Sequence, residues 1–157
     1  FYFPGLLRNH GLKLRYDTEI QNTQKLLFYN RASLPRSYIN IVTEKINFLS
    51  ADYVMPLIYP DLNIPGFFFI QRIRSSLFYD YAKVSKIHYL GSKQPPINTG
   101  TFKSFGAELM TDYYILRIPF MISTGVQTTW KTIKDSPEFK LLFNINIFGM
   151  KIGRNRL

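Results

Sequence analysis

The sequence has no cysteine and no long apolar run, and both absences narrow what the chain can be. Without cysteine there is neither a disulfide framework nor a cysteine-based zinc site. No stretch reaches the roughly 18 consecutive apolar residues that a membrane-spanning helix requires. The chain opens with "FYFPGLLRNHG", which has no initiating methionine and no basic leader. We therefore expect a processed product or a fragment of a longer protein.

Acidic residues are also scarce. The 157 residues include 10 Asp and Glu against 20 Lys and Arg, which gives a formal net charge of +10. Aromatic residues reach 17% of the chain, with 14 Phe and 11 Tyr. A soluble domain of this size usually buries such residues in one core and is less basic. Two interpretations follow: a basic surface binds a polyanion such as nucleic acid or lipopolysaccharide, or the arginines line an interior.

Few signals point to catalysis, metal binding or nucleic-acid recognition. His10 and His88 lie in different predicted loops, and the patterns H-E-x-x-H, G-x-S-x-G and the P-loop are absent. Glu108 and Asp112 share one face of a predicted strand, which is ordinary for a polar wall. The chain has no RNP-like motif and no basic helix. We therefore predict no enzyme activity, no cofactor, no metal site and no nucleic-acid partner.

The strongest pattern is alternation with a period of two residues. In "LKLRYDTEIQ", residues 12–21, apolar side chains occupy one face and charged ones the other, which is typical of a β-strand. Five further strands are predicted in "INFLSADYVMPLI", "FFFIQRIRSSLFYDYAKV", "FKSFGAELMTDYY", "FMISTGVQTTWK" and "FKLLFNINIFGM". Loops or turns are predicted at residues 22–45, "YPDLNIPG", "GSKQPPINTG", residues 116–119 and "TIKDSPE". No domain boundary is visible, so residues 1–157 are predicted to form one all-β domain.

Two structures fit this alternation. In a soluble sandwich the apolar faces form the core, whereas in a membrane barrel they face lipid and the polar faces line the lumen. The predicted strands of about ten residues suit a tilted membrane strand and exceed the usual 5–6 residues. Aromatic residues near the predicted strand ends favour the membrane as well. They are Tyr53, Tyr59, Tyr79, Tyr81, Tyr113, Tyr114 and Trp130.

The ordered series "SADYVMPL", "RIRSSLFYDYAKV", "SFGAELMTD", "RIPFMISTGVQ" and "FKLLFNINIFGM" resembles the C-terminal strands of the BamA-type superfamily. This bacterial surface antigen group includes outer-membrane insertases and two-partner secretion transporters. The resemblance covers about 145 residues, and the order of the motifs carries it rather than any single one. It implies an antiparallel transmembrane β-barrel of about 16 strands, of which this chain supplies about six at the C-terminal end.

The resemblance also implies a loop anchor inside the barrel. The family's long loop carries an Arg-Gly-aromatic tip, and "PRSY" supplies Arg36 and Tyr38, with a serine where glycine is usual. The family's F-x-D motif is matched by Phe78 and Asp80. Arg36 is therefore expected to pair with Asp80, with Asp52 as a second partner. The alternative is that Arg36 and Asp80 are both solvated.

The last predicted strand, residues 139–149, would form half of a barrel seam that opens to pair with client strands. Its seam residues are Phe139, Leu141, Phe143, Ile145, Ile147 and Phe148. A basic tail with Lys151, Arg154 and Arg156 follows, as a phosphate contact or as a disordered end.

The function implied is non-enzymatic protein insertion or translocation in the Gram-negative outer membrane. The implied partners are outer-membrane lipid, lipopolysaccharide, client proteins, and periplasmic or lipoprotein subunits. Two alternatives remain open: a structural or accessory barrel of an envelope complex with a plugged lumen, and a soluble basic β-domain that binds a polyanion.

Overall fold

The computed structural model describes residues 1–7, 9–21, 30–38, 41–89, 97–116, 120–147 and 150–153, and these form one antiparallel β-sheet. The strands are β1 Tyr2–Pro4, β2 Gly11–Ile20, β3 Ile41–Ile58, β4 Leu62–Ile64, β5 Phe68–Tyr89, β6 Ile97–Ile115, β7 Met121–Trp130, β8 Glu138–Ile147 and β9 Met150–Gly153. Within this part of the chain, no helix is long and apolar enough to cross a membrane.

The strands follow one another as neighbours in the order β1-β2-β3-β5-β6-β7-β8-β9, and β4 pairs with β5. Each connection is a simple antiparallel return, so the register of one pair fixes the next. The sheet is open: among the described strands, none joins β1 or β2 to β8 or β9. An all-β antiparallel architecture is thus confirmed.

Six strands have ten residues or more, and three short ones were not predicted. Residues 41–45 were expected to be loop but begin β3, because the β-branched Ile41, Val42 and Thr43 pair with the end of β5. β4 lies within the stretch predicted as the turn "YPDLNIPG", and β6 already begins at Ile97. Residues 91–96 and 117–119 of the predicted loops lie outside the described residues.

The strand predicted as the last one, residues 139–149, is followed by a further short strand, whereas the seam role of its residues stays a prediction. β8 ends at Ile147, and β9 pairs antiparallel with its residues 144–147. No described strand pairs with the outer edge of residues 138–143. Phe148 and the tail residues Arg154 and Arg156 lie outside the described residues, as do the side chains of Ile147 and Lys151.

The two faces of the sheet are reversed relative to a soluble protein. On β5, Phe78 and Asp80 are 4% and 0% exposed, whereas Leu77 and Tyr79 are 51% and 45% exposed. The face that carries the charged and hydroxyl side chains is therefore the covered one. It is called the covered or polar face below, and the opposite face is called the outer face. Buried polar residues on this face are Ser50, Asp52, Ser76, Asp80, Ser104, Asp112, Ser123, Gln127 and Thr129. Exposed apolar residues on the other face include Tyr16, Leu49, Leu109, Val126, Phe139, Leu141 and Phe143.

Segment 30–38 covers one end of the polar face. The side chain of Asn30 hydrogen-bonds to the backbone of Thr43 as a neighbouring strand would. Its Nδ2 donates to Thr43 O at 2.9 Å, and its Oδ1 accepts from Thr43 N at 2.7 Å. The backbone N–H of Ala32 donates to Glu19 at 2.6 Å. Further along, Leu34 and Tyr38 pack onto an apolar cluster that Ala32 of the segment forms with the sheet. Its strand residues are Ile41, Ile46, Phe48, Ala82, Val84 and Ile87.

The aromatic residues predicted at strand ends divide into two groups. Tyr59, Tyr113, Tyr114 and Trp130 lie at or next to the ends of β3, β6 and β7. Tyr53 lies inside β3, and Tyr79 and Tyr81 lie inside β5, which extends past the predicted residues 67–84 to Tyr89. Sequence alternation fades where polar and apolar residues mix near the loops, so strand length was underestimated.

Replacing Gly106 by alanine is expected to destabilise the protein. Gly106 lies opposite Phe78 on the covered face, where an added Cβ would come within 2.6 Å of Phe78 Cζ and closer still to Thr128 O. Because the backbone carbonyl of Thr128 cannot move aside easily, we expect the free energy of unfolding to fall by about 1–3 kcal/mol. Urea titration of the full-length protein measures it. Gly11→Ala is the control, since its Cβ would meet nothing within 4 Å; equal midpoints for the two variants would contradict the packing described.

Candidate functional site: an arginine among three carboxylates

Arg36 lies at the centre of a tight turn. The N–H of Tyr38 donates to Pro35 O at 2.9 Å, which makes Arg36 and Ser37 the two central residues of a β-turn. Neither residue is among those with positive φ. A serine therefore takes this position without the strain that only glycine avoids. The departure from the glycine of the resembling family carries no backbone cost here.

The guanidinium of Arg36 meets carboxylates from three neighbouring strands. Its Nη2 donates a hydrogen bond to Asp52 Oδ1 on β3. Its Nε lies 3.7 Å from Asp80 Oδ2 on β5, and its Nη1 lies 3.4 Å from Glu108 Oε1 on β6. The contact to Glu108 is an ion pair without hydrogen-bond geometry, because Nη1 is buried and makes no hydrogen bond within the described residues. One cation is thus shared by three anions.

Asp80 connects this arginine to the sheet. Its carboxylate is fully buried and accepts hydrogen bonds from the backbone N–H of Arg36 at 3.1 Å and from Ser50 Oγ at 2.7 Å. Ser104 Oγ donates to it at 3.3 Å. The two serines are the direct cross-strand neighbours of Asp80 on β3 and β6. A buried carboxylate is tolerable only when its oxygens are satisfied in this way.

An aromatic face and the local charge keep Arg36 in place. Its Cζ lies 3.9 Å from the centroid of the Phe78 ring, which is cation–π geometry. Burial acts to lower the pKa of the Arg36 guanidinium, but the charges of Asp80, Glu108 and Asp52 outweigh it, and the pKa is raised above its ordinary value. The group therefore remains a permanent cation in spite of its partial burial.

The backbone on either side of Arg36 reaches the far strands of the sheet. Lys140 on β8 donates through Nζ to Arg36 O at 2.6 Å. The Tyr38 ring lies 4.5 Å from the Phe102 ring, and Lys131 Nζ lies 5.4 Å from the Tyr38 centroid. Segment 30–38 therefore crosses the polar face from Glu19 on β2 to Lys140 on β8.

Of the five residues expected at the loop anchor, the structure brings Asp52, Phe78 and Asp80 against Arg36, whereas the Tyr38 ring packs against Phe102 and the apolar cluster. Sequence reasoning missed others that touch them, namely Ser50, Ser104, Glu108, Lys131 and Lys140. Alternation can predict on which face of the sheet the strand residues among them lie, but their distance from Arg36 depends on the register of the strands. The predicted seam residues Phe139, Leu141 and Phe143 lie on the opposite, exposed face, and Ile145 is half-buried.

A second charged cluster lies nearer the other end of the polar face. Asp112 accepts from Arg72 Nε at 2.5 Å, from Arg74 Nε at 3.1 Å and from Ser123 Oγ at 2.6 Å. Glu108 instead accepts from Gln127 at 2.7 Å, so the two carboxylates serve separate clusters. Where the structure describes the chain, no group of three or more His, Asp or Glu side chains could hold a metal ion.

Comparison with known proteins gives no match, whether to protein-family models, to curated proteins or to solved structures.

Arg36→Ala and Asp80→Ala are each expected to cost about 3–5 kcal/mol of stability, because each leaves a buried charged group without its partner. The double variant is expected to cost much less than the sum, since the two residues act as one unit. Heat or urea unfolding of the full-length protein measures all three. Arg31→Ala, which removes an exposed arginine of the same segment, is the control. Strictly additive effects would contradict the pairing.

Proposed function

We propose that this chain is the C-terminal part of an outer-membrane β-barrel of the insertase or translocase type, which assembles or translocates other proteins without enzymatic catalysis. The observation that carries the proposal is the reversal of the two faces. A sheet with buried carboxylates and exposed Leu, Phe and Tyr is the arrangement that lipid outside and a polar lumen inside would produce. In water the same surface would be a large apolar patch.

Two aromatic rows on the outer face support a membrane-spanning sheet. Tyr79, Phe105 and Trp130 are direct cross-strand neighbours and form one row. Near the other end Tyr113 pairs with Ile70 and lies 5.2 Å, ring to ring, from Phe68. Tyr79 and Ile70 are 79 − 70 = 9 residues apart on β5. That is about 30 Å along a strand and about 23 Å along the membrane normal at a tilt of about 40°. An outer-membrane barrel has an apolar band of about 25 Å between aromatic girdles.

The outer face between these rows carries no charged residue on β5 to β8. Its residues are Ile73, Ser75, Leu77, Ala107, Leu109, Thr111, Ile122, Thr124, Val126, Thr128, Phe139, Leu141 and Phe143. A lipid-facing Arg or Lys costs about 2–4 kcal/mol at the bilayer midplane. The lack of charge in this band is therefore what a bilayer would require.

The insertase part of the proposal has two supports. The first is the resemblance of the ordered strand motifs to the BamA-type superfamily. The second is the outer edge of β8, where residues 138–143 have no strand partner within the described chain. Such an edge offers backbone N–H and C=O groups to an incoming strand. A bilayer tolerates only closed barrels, so further strands must complete this sheet.

The alternative function, a structural or accessory barrel with a plugged lumen, is favoured by a different observation. Segment 30–38 crosses the polar face and is bound at both sides, through Glu19 on β2 and Lys140 on β8. A passive barrel with a plugged lumen requires a segment bound across the polar face in this way. The behaviour of the β8 edge separates the two functions.

Single cysteines at Leu141 and Leu142 test the membrane orientation, because these adjacent leucines lie on opposite faces of β8. Leu141 is 87% exposed on the outer face, whereas Leu142 lies opposite Gly125 on the polar face. In vesicles, a fluorophore on Leu141→Cys is expected to be quenched strongly by a quencher attached to lipid tails. The same fluorophore on Leu142→Cys should be quenched weakly. Similar quenching at both positions would exclude a lipid-facing outer surface.

A photo-crosslinking phenylalanine analogue in place of Phe143 tests the edge of β8. During synthesis of another outer-membrane barrel protein, an insertase is expected to form crosslinks to that client from position 143. The same analogue at Leu109, in the middle of the sheet, is the control and should give none. Crosslinks that reach only the protein's own strands would favour the closed, accessory barrel.

A further inference from the structure

Three lysines stand on the outer face just beyond the aromatic row of Tyr79, Phe105 and Trp130. They are Lys45 on β3, Lys83 on β5 and Lys103 on β6, and all three are exposed. Their registers, with Lys45 opposite Ser85 and Lys103 opposite Tyr81, place them diagonally on adjacent strands. Diagonal neighbours of this kind lie about 7–8 Å apart, so the lysine strip is roughly 15 Å long.

The carboxylates of the described strands do not pair with the lysine strip. Seven strand carboxylates lie on the covered face: Asp17, Glu19, Asp52, Asp80, Glu108, Asp112 and Glu138. Glu44, the nearest in sequence, is bound to Lys86 at 2.6 Å. None of Lys45, Lys83 and Lys103 makes an ion pair with a described residue; Lys103 Nζ only approaches the Tyr81 ring, at 5.9 Å. Three unneutralised cations therefore face outward together.

The covered face holds the arginines of the described strands, together with Lys13 and Lys140. The described strand arginines, Arg15, Arg72 and Arg74, lie on the covered face, while the three lysines of the strip point away from it. The strip also lies at the end of the sheet that carries segment 30–38, where β3 begins. In the proposed barrel this is the end with the longer connections, which face the cell exterior.

We infer that the lysine strip binds the phosphates of an outer-leaflet lipid that carries more than one phosphate, of the lipid A class. The inference rests on the proposed membrane-spanning function. Long lysine side chains near the rim of an apolar band reach the headgroup level, where phosphates lie. A strip of roughly 15 Å with three cations is long enough for two phosphates at once. A lipid with a single phosphate would engage only part of it.

Lipid binding by the full-length protein in detergent tests the inference, with native mass spectrometry as the readout. The probes are lipid A and phosphatidylglycerol, a lipid with one phosphate. Each single Lys→Gln change is expected to weaken lipid A binding about fivefold, and the triple change on the order of 100-fold. The triple Lys→Arg variant, which keeps the charges, should retain binding. Added salt should weaken binding of the unaltered protein.

The control is Lys86→Gln, which removes an exposed lysine already paired with Glu44 and should change lipid A binding little. Unaltered binding in the triple Lys→Gln variant would overturn the inference, and so would equal affinity for the two lipids. Insertion into neutral phosphatidylcholine vesicles is measured in parallel. If the unaltered protein does not insert there, the proposed membrane function fails. If it inserts but binds lipid A no better than the triple Lys→Gln variant does, only the lysine strip is refuted.

Discussion

The burial of Asp80 is the constraint on which the covered face depends. A carboxylate without water must have every oxygen satisfied, and here the partners come from three separate parts of the chain: Ser50 on β3, Ser104 on β6 and Arg36 in segment 30–38. The serines are fixed by strand register, and the arginine is fixed by its turn. The strand register, the turn at Arg36 and the contact between Arg36 and Asp80 therefore depend on one another.

The polar face works as two separate charge clusters rather than one. Around Arg36 carboxylates outnumber the cation, whereas around Asp112 two arginines share one carboxylate. The first cluster is therefore held by segment 30–38, whereas the second is held by strand residues alone.

Alternation predicted the face of residues in the regular parts of the strands, from Leu12 on β2 to Phe143 on β8, because successive side chains in a strand point to opposite sides. It did not show the register shift between Ile70 and Arg72 on β5. The pairing of Arg36 with Asp80 and Asp52 was expected from a family resemblance and not from periodicity. The sequence pattern could not predict that Glu108 and Lys140 lie beside Arg36, because their positions depend on the register of several successive strand pairs. β9 was missed because a four-residue strand leaves too few alternations to recognise.

The hydrogen bond from Lys140 to Arg36 O has a consequence for how the chain folds. It joins residues 104 positions apart, while the Asp52 and Asp80 contacts of the same residue span 16 and 44 positions. Contacts of such high order form only after the intervening strands are aligned, because the entropy of closing those long loops is lost before any contact repays it. The full set of contacts of Arg36 is therefore expected to form late in folding, after β3 to β8 have aligned. These contacts stabilise the sheet once β3 to β8 have paired.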